Sequence, residues 1–76
     1  MSYRKNKSAY PALEAEIAFR QIRKKDIAES VNITPRAMSL KLVGKSDFTL
    51  NEALVIHQQF FKDVDFVTLF KRNERS

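Results

Sequence analysis

The 76-residue sequence contains no cysteine, no tryptophan, one glycine, two prolines and one histidine. Without cysteine, the chain has neither a disulfide nor a thiolate ligand for zinc, and His57 alone cannot build a metal site. Glycine and proline are the residues that tight turns use most, so their scarcity argues against an extensive β-hairpin system. The composition favours a compact all-α domain without a cofactor, and at this length its hydrophobic core is small.

Long apolar runs and catalytic clusters are missing as well. No run approaches the ~20 apolar residues of a membrane span, and the N-terminal residues lack the apolar segment of a signal peptide. With one histidine, no cysteine and scattered carboxylates, the sequence offers no convergent nucleophile, base or metal cluster. We therefore expect a soluble, intracellular protein that is not an enzyme and has no membrane partner.

What the sequence does have is an uneven distribution of charge. The formal net charge of the whole chain is +5 and its pI is about 9.8. Residues 20–46 contain seven Lys and Arg against two acidic residues, a net charge of +5, whereas residues 47–65 contain one Lys against four acidic residues, a net charge of −3. The positive charge is concentrated in one stretch, which indicates an anionic partner for that stretch.

Residues 24–45, inside this basic stretch, predict two short helices separated by a tight turn. In the first helix, Ile27, Ala28 and Val31 form one apolar stripe, and the small Ala28 leaves room for a crossing helix. Asn32 follows, and after Gly, Asn is the residue that most readily takes the left-handed conformation of a helix C-terminus. We therefore expect the first helix to end at this turn.

The second helix of the pair has its own start and stop signals. Thr34 can cap it, and Pro35 suits its first position. Met38 and Leu42, four residues apart, predict its inner stripe, and Gly44 ends it. The remaining side chains of this helix are expected to point away from the core: Arg36, Ser39, Leu40 and Lys41.

Further helices are predicted on both sides of this pair. A helix is expected from Pro11 to about Gln21, with Leu13, Ile17 and the Ala18 to Ile22 edge on its inner side. Phe19 falls off this stripe, and is either a partner contact or a partly exposed aromatic that leans on its neighbours.

After the central pair, Thr49 and Glu52 form a capping box that starts a fourth helix. Phe48, in the loop before it, is expected to plug the core. Asp63 or Asp65 caps a short fifth helix. The inner side of the fourth helix is assigned to Leu50, Ala53, Leu54 and either His57 or Phe60, and the fifth helix bears Phe66, Leu69 and Phe70.

These elements predict one domain over residues 10–72, a compact bundle of about five short helices that contains the central pair. Residues 1–9 are expected to form a flexible basic arm and residues 73–76 a frayed tail. The cations of the arm lie either along a DNA backbone or minor groove, or in solvent; they are Arg4, Lys5 and Lys7.

The ordered set of turn and core residues in the central pair resembles the helix-turn-helix of the lambda-repressor-like DNA-binding domains, the family of Cro and the phage repressors. The residues that carry the resemblance are Ala28, Asn32, Ile33, Thr34, Met38, Leu42 and Gly44, together with the string Leu42 to Phe48 and the following Thr-Leu-Asn-Glu-Ala. The likeness covers roughly residues 10–70. It implies a sequence-specific transcriptional regulator, of phage or prophage repressor type, that binds double-stranded DNA in the cytoplasm of a bacterial cell or phage-infected host.

The resemblance also implies which residues contact DNA. The N-terminal half of a recognition helix reaches base edges in the major groove, where the guanidinium fork of Arg36 fits guanine O6 and N7. Leu40 occupies a position that is polar in several relatives, so it contacts either a thymine methyl group or a protein partner. The implied base-contacting residues are Pro35, Arg36, Ser39 and Leu40; the implied phosphate-contacting residues are Lys24, Lys25, Thr34, Lys41, Lys45 and Ser46.

Relatives pair two copies across a two-fold axis, so we expect a homodimer at least on DNA. The C-terminal region is the expected dimer or partner surface, with Phe61 and Val67 as its candidates, unless its aromatic residues close the domain's own core. A different class of function is a protein-interaction module on the same fold, such as an antirepressor or antitoxin component. In that case the exposed residues Phe19, Leu40 and Phe61 bind a protein partner.

Overall fold

The computed structural model describes residues 8–73, which form five helices and no strand. In chain order the helices are α1 (Pro11–Arg20), α2 (Lys24–Ser30), α3 (Pro35–Leu42), α4 (Leu50–Phe60) and α5 (Phe66–Leu69). The predicted all-α fold is confirmed over this range. None of the five described helices is long and apolar enough to cross a membrane. The arm cations Arg4, Lys5 and Lys7 and the tail residues 74–76 lie outside the described residues.

Each helix turns one apolar side toward a common core. Because helical residues three or four positions apart share a face, a few apolar residues per helix are enough to line it. Leu13 and Ile17 of α1 and Met38 and Leu42 of α3 are buried as predicted, but Ala18 is exposed, so its assignment to the inner side of α1 is wrong. Burying one side chain of Leu or Ile size stabilises a fold by about 1.5–3 kcal/mol, so this core supplies much of the stability. The buried helix residues are Leu13, Ile17, Ile27, Ala28, Met38, Leu42, Ala53, Ile56 and Leu69.

The turn between α2 and α3 is fixed by backbone hydrogen bonds. Ile33 N–H donates to Ala28 C=O at 3.0 Å, and Asn32 N–H donates to Glu29 C=O at 3.1 Å. This pair of bonds is a Schellman turn, which needs one residue in the left-handed conformation. Asn32 has φ 63°, as predicted, so the direction in which α3 leaves α2 is set locally.

The same kind of turn ends α1 and α3. The residue at positive φ is Gln21 (φ 56°) after α1 and Gly44 (φ 89°) after α3. A left-handed conformation costs a residue with a Cβ about 1–2 kcal/mol, so Gln21 carries a strain that Gly44 avoids. The closing hydrogen bonds are Ile22 N–H to Ile17 C=O at 3.0 Å and Lys45 N–H to Leu40 C=O at 2.9 Å.

α3, α4 and α5 begin with side-chain caps, each of which satisfies a backbone N–H that the helix leaves without a partner. Thr34 Oγ1 accepts from the third backbone N–H of α3 at 3.0 Å, as predicted. Thr49 and Glu52 form the predicted capping box, with each side chain 3.0 Å from the other residue's backbone nitrogen. Asp65, rather than Asp63, caps α5.

The inner side of α4 differs from the prediction. Ala53 and Ile56 are buried, but Leu50 is 69% exposed and Leu54 is also exposed, so the assignment of Leu50 and Leu54 to the core is wrong. Leu50 and Leu54 lie four residues apart and would make an equally regular stripe. Packing of α4 against α2 selects the neighbouring stripe, and the sequence of α4 alone does not contain that information.

Phe61 is fully buried, which corrects its placement on a partner surface. It follows the last turn of α4, and its ring packs beneath Arg20, with Cζ 5.2 Å from the ring centroid. Phe60, beside it, is only half-buried. The periodicity of α4 ends here, so spacing cannot show which of the two adjacent aromatics enters the core. Val67, the other surface candidate, is 72% exposed.

Residues on both sides of the helical region join the core. Ala9 is buried, its N–H donates to Leu42 C=O at 2.9 Å, and its C=O accepts from Asn73 N–H at 2.8 Å. Ala9 and Asn73 therefore belong to the domain, which corrects the predicted limits of the arm and the tail. Both positions look featureless in the sequence because their contribution comes from backbone groups.

A cluster of aromatic rings covers the core next to these ends. Phe48 packs edge-on against Tyr10 and Phe70, with centroid distances of 5.2 and 5.7 Å. Such pairs add about 0.5–1.5 kcal/mol beyond their burial. The predicted role of Phe48 as a core plug is confirmed, and it holds the loop between α3 and α4 against the domain.

Candidate nucleic-acid interface

α3 presents an exposed face on the side away from the core. Met38 and Leu42 are buried, Ala37 and Lys41 are partly buried, and the other residues of the helix are exposed. Pro35, at the first position of the helix, is exposed as well, so all four predicted base-contacting residues lie on the surface. The exposed residues of α3 after Pro35 lie three or four positions apart, so they share one side of the helix. This α3 face consists of Arg36, Ser39, Leu40 and Val43.

Val43 was not predicted as part of this face. It is the residue after the last turn of α3 and lies seven positions from Arg36, a spacing that could have identified it. Leu40 is 37% exposed, so its neighbours restrict its side chain while its outer part remains accessible. From its N-terminal to its C-terminal end, the α3 face thus carries one guanidinium, one hydroxyl and two aliphatic groups.

Arg36 has no ion pair with any other residue between 8 and 73. It occupies the first turn of α3, where the helix dipole is positive and a cation is unfavourable. Neither an ion pair nor the dipole therefore explains its position. The donors of its guanidinium are therefore available to a group outside the domain.

Other unpaired cations flank the two helices. Arg23 precedes α2, Lys25 lies in its first turn, and Lys45 follows α3, and none of them has an ion pair within the part of the chain that the structure describes. All three side chains are exposed. Lys25 and Lys45 were predicted phosphate contacts, whereas Arg23 was not in the predicted set. Positive charge is thus available at both ends of the α2–α3 unit.

Lys24 is exposed but has a partner. Its Nζ lies 3.3 Å from Glu14 Oε1 on α1, and about half of its side chain is accessible. Exposed pairs of this kind contribute at most about 1 kcal/mol. Lys24 can therefore exchange Glu14 for another anion at little cost.

Lys41 points toward α4 rather than away from the core, which corrects the prediction. Its side chain is only 13% exposed, and Nζ lies 3.1 Å from Glu52 Oε1 and 2.9 Å from the Asp47 C=O. The ammonium also lies 5.9 Å from the Phe48 ring centroid. The physical reason is that Glu52, fixed by the capping box, offers a shielded carboxylate within its reach. As a phosphate contact, Lys41 would have to break this arrangement.

Two hydroxyls complete the predicted phosphate-contacting set. Thr34 Oγ1 accepts a hydrogen bond in the cap of α3, which leaves its own proton free to be donated. Ser46 is exposed in the loop after α3. Both hydroxyls can therefore donate to an external acceptor without loss of a described bond.

Arg20 contributes to the formal charge of the basic stretch but is neutralised within the domain. It pairs with Glu16 at 2.9 Å and with Asp63 at 2.9 Å. The hydrogen bond from Arg20 is the main cause that lowers the pKa of Asp63 below the ordinary range. Similarly, the backbone N–H of Thr68 lowers the pKa of Asp65, the cap of α5. Both carboxylates therefore have partners within the domain: Asp63 pairs with Arg20, and Asp65 accepts from Thr68.

Among residues 8–73, no group of three or more His, Cys, Asp and Glu side chains is placed to hold a metal ion. Comparisons of the chain with protein-family models, with curated proteins and with solved structures gave no match.

Proposed function

We propose that this protein is a sequence-specific DNA-binding regulator, of repressor type, in which α2 and α3 act as a helix-turn-helix. The observation that carries the proposal is the α3 face, where Arg36 is exposed and unpaired within residues 8–73 at the N-terminal end of the helix. A groove with negative phosphates at its rims and hydrogen-bond acceptors at its floor complements this arrangement.

The size of α3 suits the major groove. A helix with its side chains is about 10–12 Å wide, and the groove is about 12 Å wide. Arg36 pairs with guanine O6 and N7 and contributes about 1–3 kcal/mol of discrimination. Ser39 donates or accepts one hydrogen bond, Leu40 faces a thymine methyl group, and Pro35 contributes shape because it has no N–H.

Phosphate contacts fix the position of α3 on the duplex. They come from the cations at the ends of the α2–α3 unit, and the hydroxyls of Thr34 and Ser46 supplement them. Each neutralised phosphate contributes about −0.9 to the slope of log affinity against log salt, so four cations give about −4 for each bound copy. Lys41 has a different role, because it holds α3 against α4. The four cations are Arg23, Lys24, Lys25 and Lys45.

A helix of eight residues reads only a few base pairs. Two copies on a two-fold symmetric site double that number, with half-sites about one DNA turn apart. We therefore include a homodimer on DNA in the proposal.

The second candidate is a protein-interaction module, and one observation favours it. Phe19 on α1 is 85% exposed and lies on a helix that DNA reading by α3 does not use. Phe61 has no part in this alternative because it is buried.

Selection of duplexes by the purified full chain, followed by a salt titration, tests the leading proposal. We expect enrichment of a two-fold symmetric sequence and a salt slope of about −4 for each copy. Arg36→Ala should weaken binding to the selected duplex by about 5- to 150-fold. Lys62→Ala, which removes an exposed cation after α4, is the matched control and should bind like the wild type. No enriched sequence, or equal binding by Arg36→Ala and the wild type, would contradict the proposal.

A further inference from the structure

Besides the α3 face, a second exposed surface lies on α1, on the side away from the buried residues Leu13 and Ile17. It carries no charged side chain, although 30% of the residues of the chain are charged. We call this surface the α1 face. Its residues are Pro11, Ala12, Ala15, Ala18 and Phe19, all exposed except the half-buried Ala12.

Phe19 projects from one end of the α1 face. It is 85% exposed and packs against no aromatic ring or cation among the described residues. An aromatic ring is among the largest apolar groups in a protein, and one left in water at the edge of an uncharged face gains from being covered.

A groove lies at the other end of the α1 face. It has a volume of about 360 Å³ and is lined mainly by apolar atoms of the start of α1 and the chain around the end of α5. Pro11 and Ala12 belong to both the groove and the α1 face, so the two surfaces are continuous. The lining residues are Pro11, Ala12, Thr68, Lys71, Arg72 and Asn73.

We propose that the α1 face binds the α1 face of a second copy of this chain, in an antiparallel pair in which each Phe19 enters the other copy's groove. Ala12 and Phe19 are seven residues apart, which places them on one side of α1 about 10.5 Å apart along its axis. In an antiparallel pair centred between them, Phe19 lies level with the partner's Ala12. Two-fold symmetry then forms the same contact twice.

The size of the side chains on the α1 face and its lack of charge both suit a second copy of the chain. Ala15 lies near the midpoint of the pair, where its small side chain lets two helices approach closely. Lys71, an exposed cation at the groove, can stand over the inserted ring. The chain has a net charge of +5, so two copies repel each other over much of their surface. The α1 face itself carries no charge, and Glu16, the carboxylate nearest the two-fold axis, is neutralised by Arg20 of its own copy.

The extent of the α1 face sets the strength of the pair. A single helix of ten residues offers less than the ~800 Å² per partner of a standard stable interface. The pair should therefore be weak, with a dissociation constant of roughly 0.1–1 mM in the absence of DNA. It uses no residue of the α3 face and does not depend on DNA binding.

Cross-linking through a single introduced thiol tests the proposal, because the chain has no cysteine. Ala15→Cys places two thiols beside the two-fold axis, and we expect a disulfide-linked dimer to form under mild oxidation at about 0.5 mM protein. Adding Phe19→Ala should slow its formation at least about tenfold. Adding Val67→Ala, which removes a comparably exposed apolar group from α5, should leave the rate unchanged. Ser39→Cys on α3 is the control for random collision.

Sedimentation of the wild type gives an independent measurement. A mass that rises toward that of a dimer as the concentration approaches about 1 mM, and that stays monomeric in Phe19→Ala, supports the proposal. Since Phe19 is exposed, circular dichroism should show an unchanged helix content in that variant. A wild type that stays monomeric at 1 mM, equal cross-linking of Ala15→Cys and Ser39→Cys, or a dimer lost in Val67→Ala instead would overturn it.

Discussion

Arg20 and Asp63 form a bidentate ion pair that joins the end of α1 to the segment after α4. Nη1 donates to Oδ1 at 3.0 Å, and Nη2 donates to Oδ2 at 2.9 Å. The same guanidinium donates to the C=O of Phe60 at 3.1 Å and covers the buried ring of Phe61. One side chain therefore satisfies a carbonyl at the end of α4, neutralises a carboxylate and closes the core.

Acid is expected to weaken the fold partly through this pair. The hydrogen bond from Arg20 lowers the pKa of folded Asp63, whereas the unfolded chain returns it to the ordinary value of about 4. A carboxyl with a lowered pKa in the folded state stabilises the fold above pH ~4, and this contribution is lost as the pH falls through the lowered pKa. Urea unfolding between pH 6 and 2.5 should show the loss.

Asp63→Asn removes the titrating group, so its stability should fall less over the same pH range than that of the wild type. Glu29→Gln, a change at an exposed carboxylate of α2 with no ion pair in the described range, should follow the wild type. If Asp63→Asn and the wild type lose stability in parallel, Asp63 does not contribute to the acid sensitivity.

Gln21→Gly should stabilise the fold by about 0.5–1 kcal/mol. Gln21 has φ 56°, and glycine removes the cost of a Cβ in that conformation but adds entropy to the unfolded chain, which offsets part of the gain. Thermal unfolding measures the difference. Gln59→Gly, at an exposed position within α4, should instead destabilise by about 1 kcal/mol; a loss at both positions would show that Gln21 is not strained.

Lys41→Met should destabilise the fold by about 1–3 kcal/mol, because it leaves the shielded carboxylate of Glu52 without its cation. Lys41→Met/Glu52→Gln should recover much of this loss, since Gln can still complete the capping box. The matched variant Lys45→Met removes an exposed ammonium and should change stability by less than about 0.5 kcal/mol. Equal losses in both single variants, measured by urea unfolding, would argue against a structural role for Lys41.

Leu40 allows a test of base reading at the level of one methyl group. Replacing the contacted thymine of a selected duplex with deoxyuridine should weaken wild-type binding about fourfold and leave Leu40→Ala binding unchanged. Val43→Ala, on the same α3 face but nearer its C-terminal end, should keep the sensitivity. If deoxyuridine at every thymine leaves the wild-type affinity unchanged, Leu40 does not contact a thymine methyl group. That result would not affect the proposed role of Arg36.

The parts of the fold that could be predicted are those that short-range chemistry decides. Asn32, Thr34 and the pair Thr49 and Glu52 act on backbone groups within a few residues, so their roles follow from the sequence alone. The exposed side of α3 follows in the same way from the burial of Met38, which the spacing of apolar residues predicts.

The side-chain placements that could not be predicted depend on contacts between distant segments of the chain. Lys41 and Lys45 are the same residue type four positions apart, and only the approach of Glu52 distinguishes the shielded ammonium from the exposed one. Likewise, Leu50 has the stronger hydrophobic character, yet Ala53 faces the core because α2 selects that side of α4. Where a helix has two equally regular apolar stripes, the spacing of residues does not show which stripe faces the core.

Ala9 and Asn73 share a hydrogen bond, and Gly44 lies so close that a Cβ added to it would come within 3.0 Å of the Ala9 Cβ. The first and last described segments therefore leave the bundle at one corner, beside the C-terminal end of α3. Such an arrangement suits circular permutation: a short linker can join the segments at Ala9 and Asn73, and the chain can be reopened at the exposed Ser46 with α2, α3 and their turn uninterrupted.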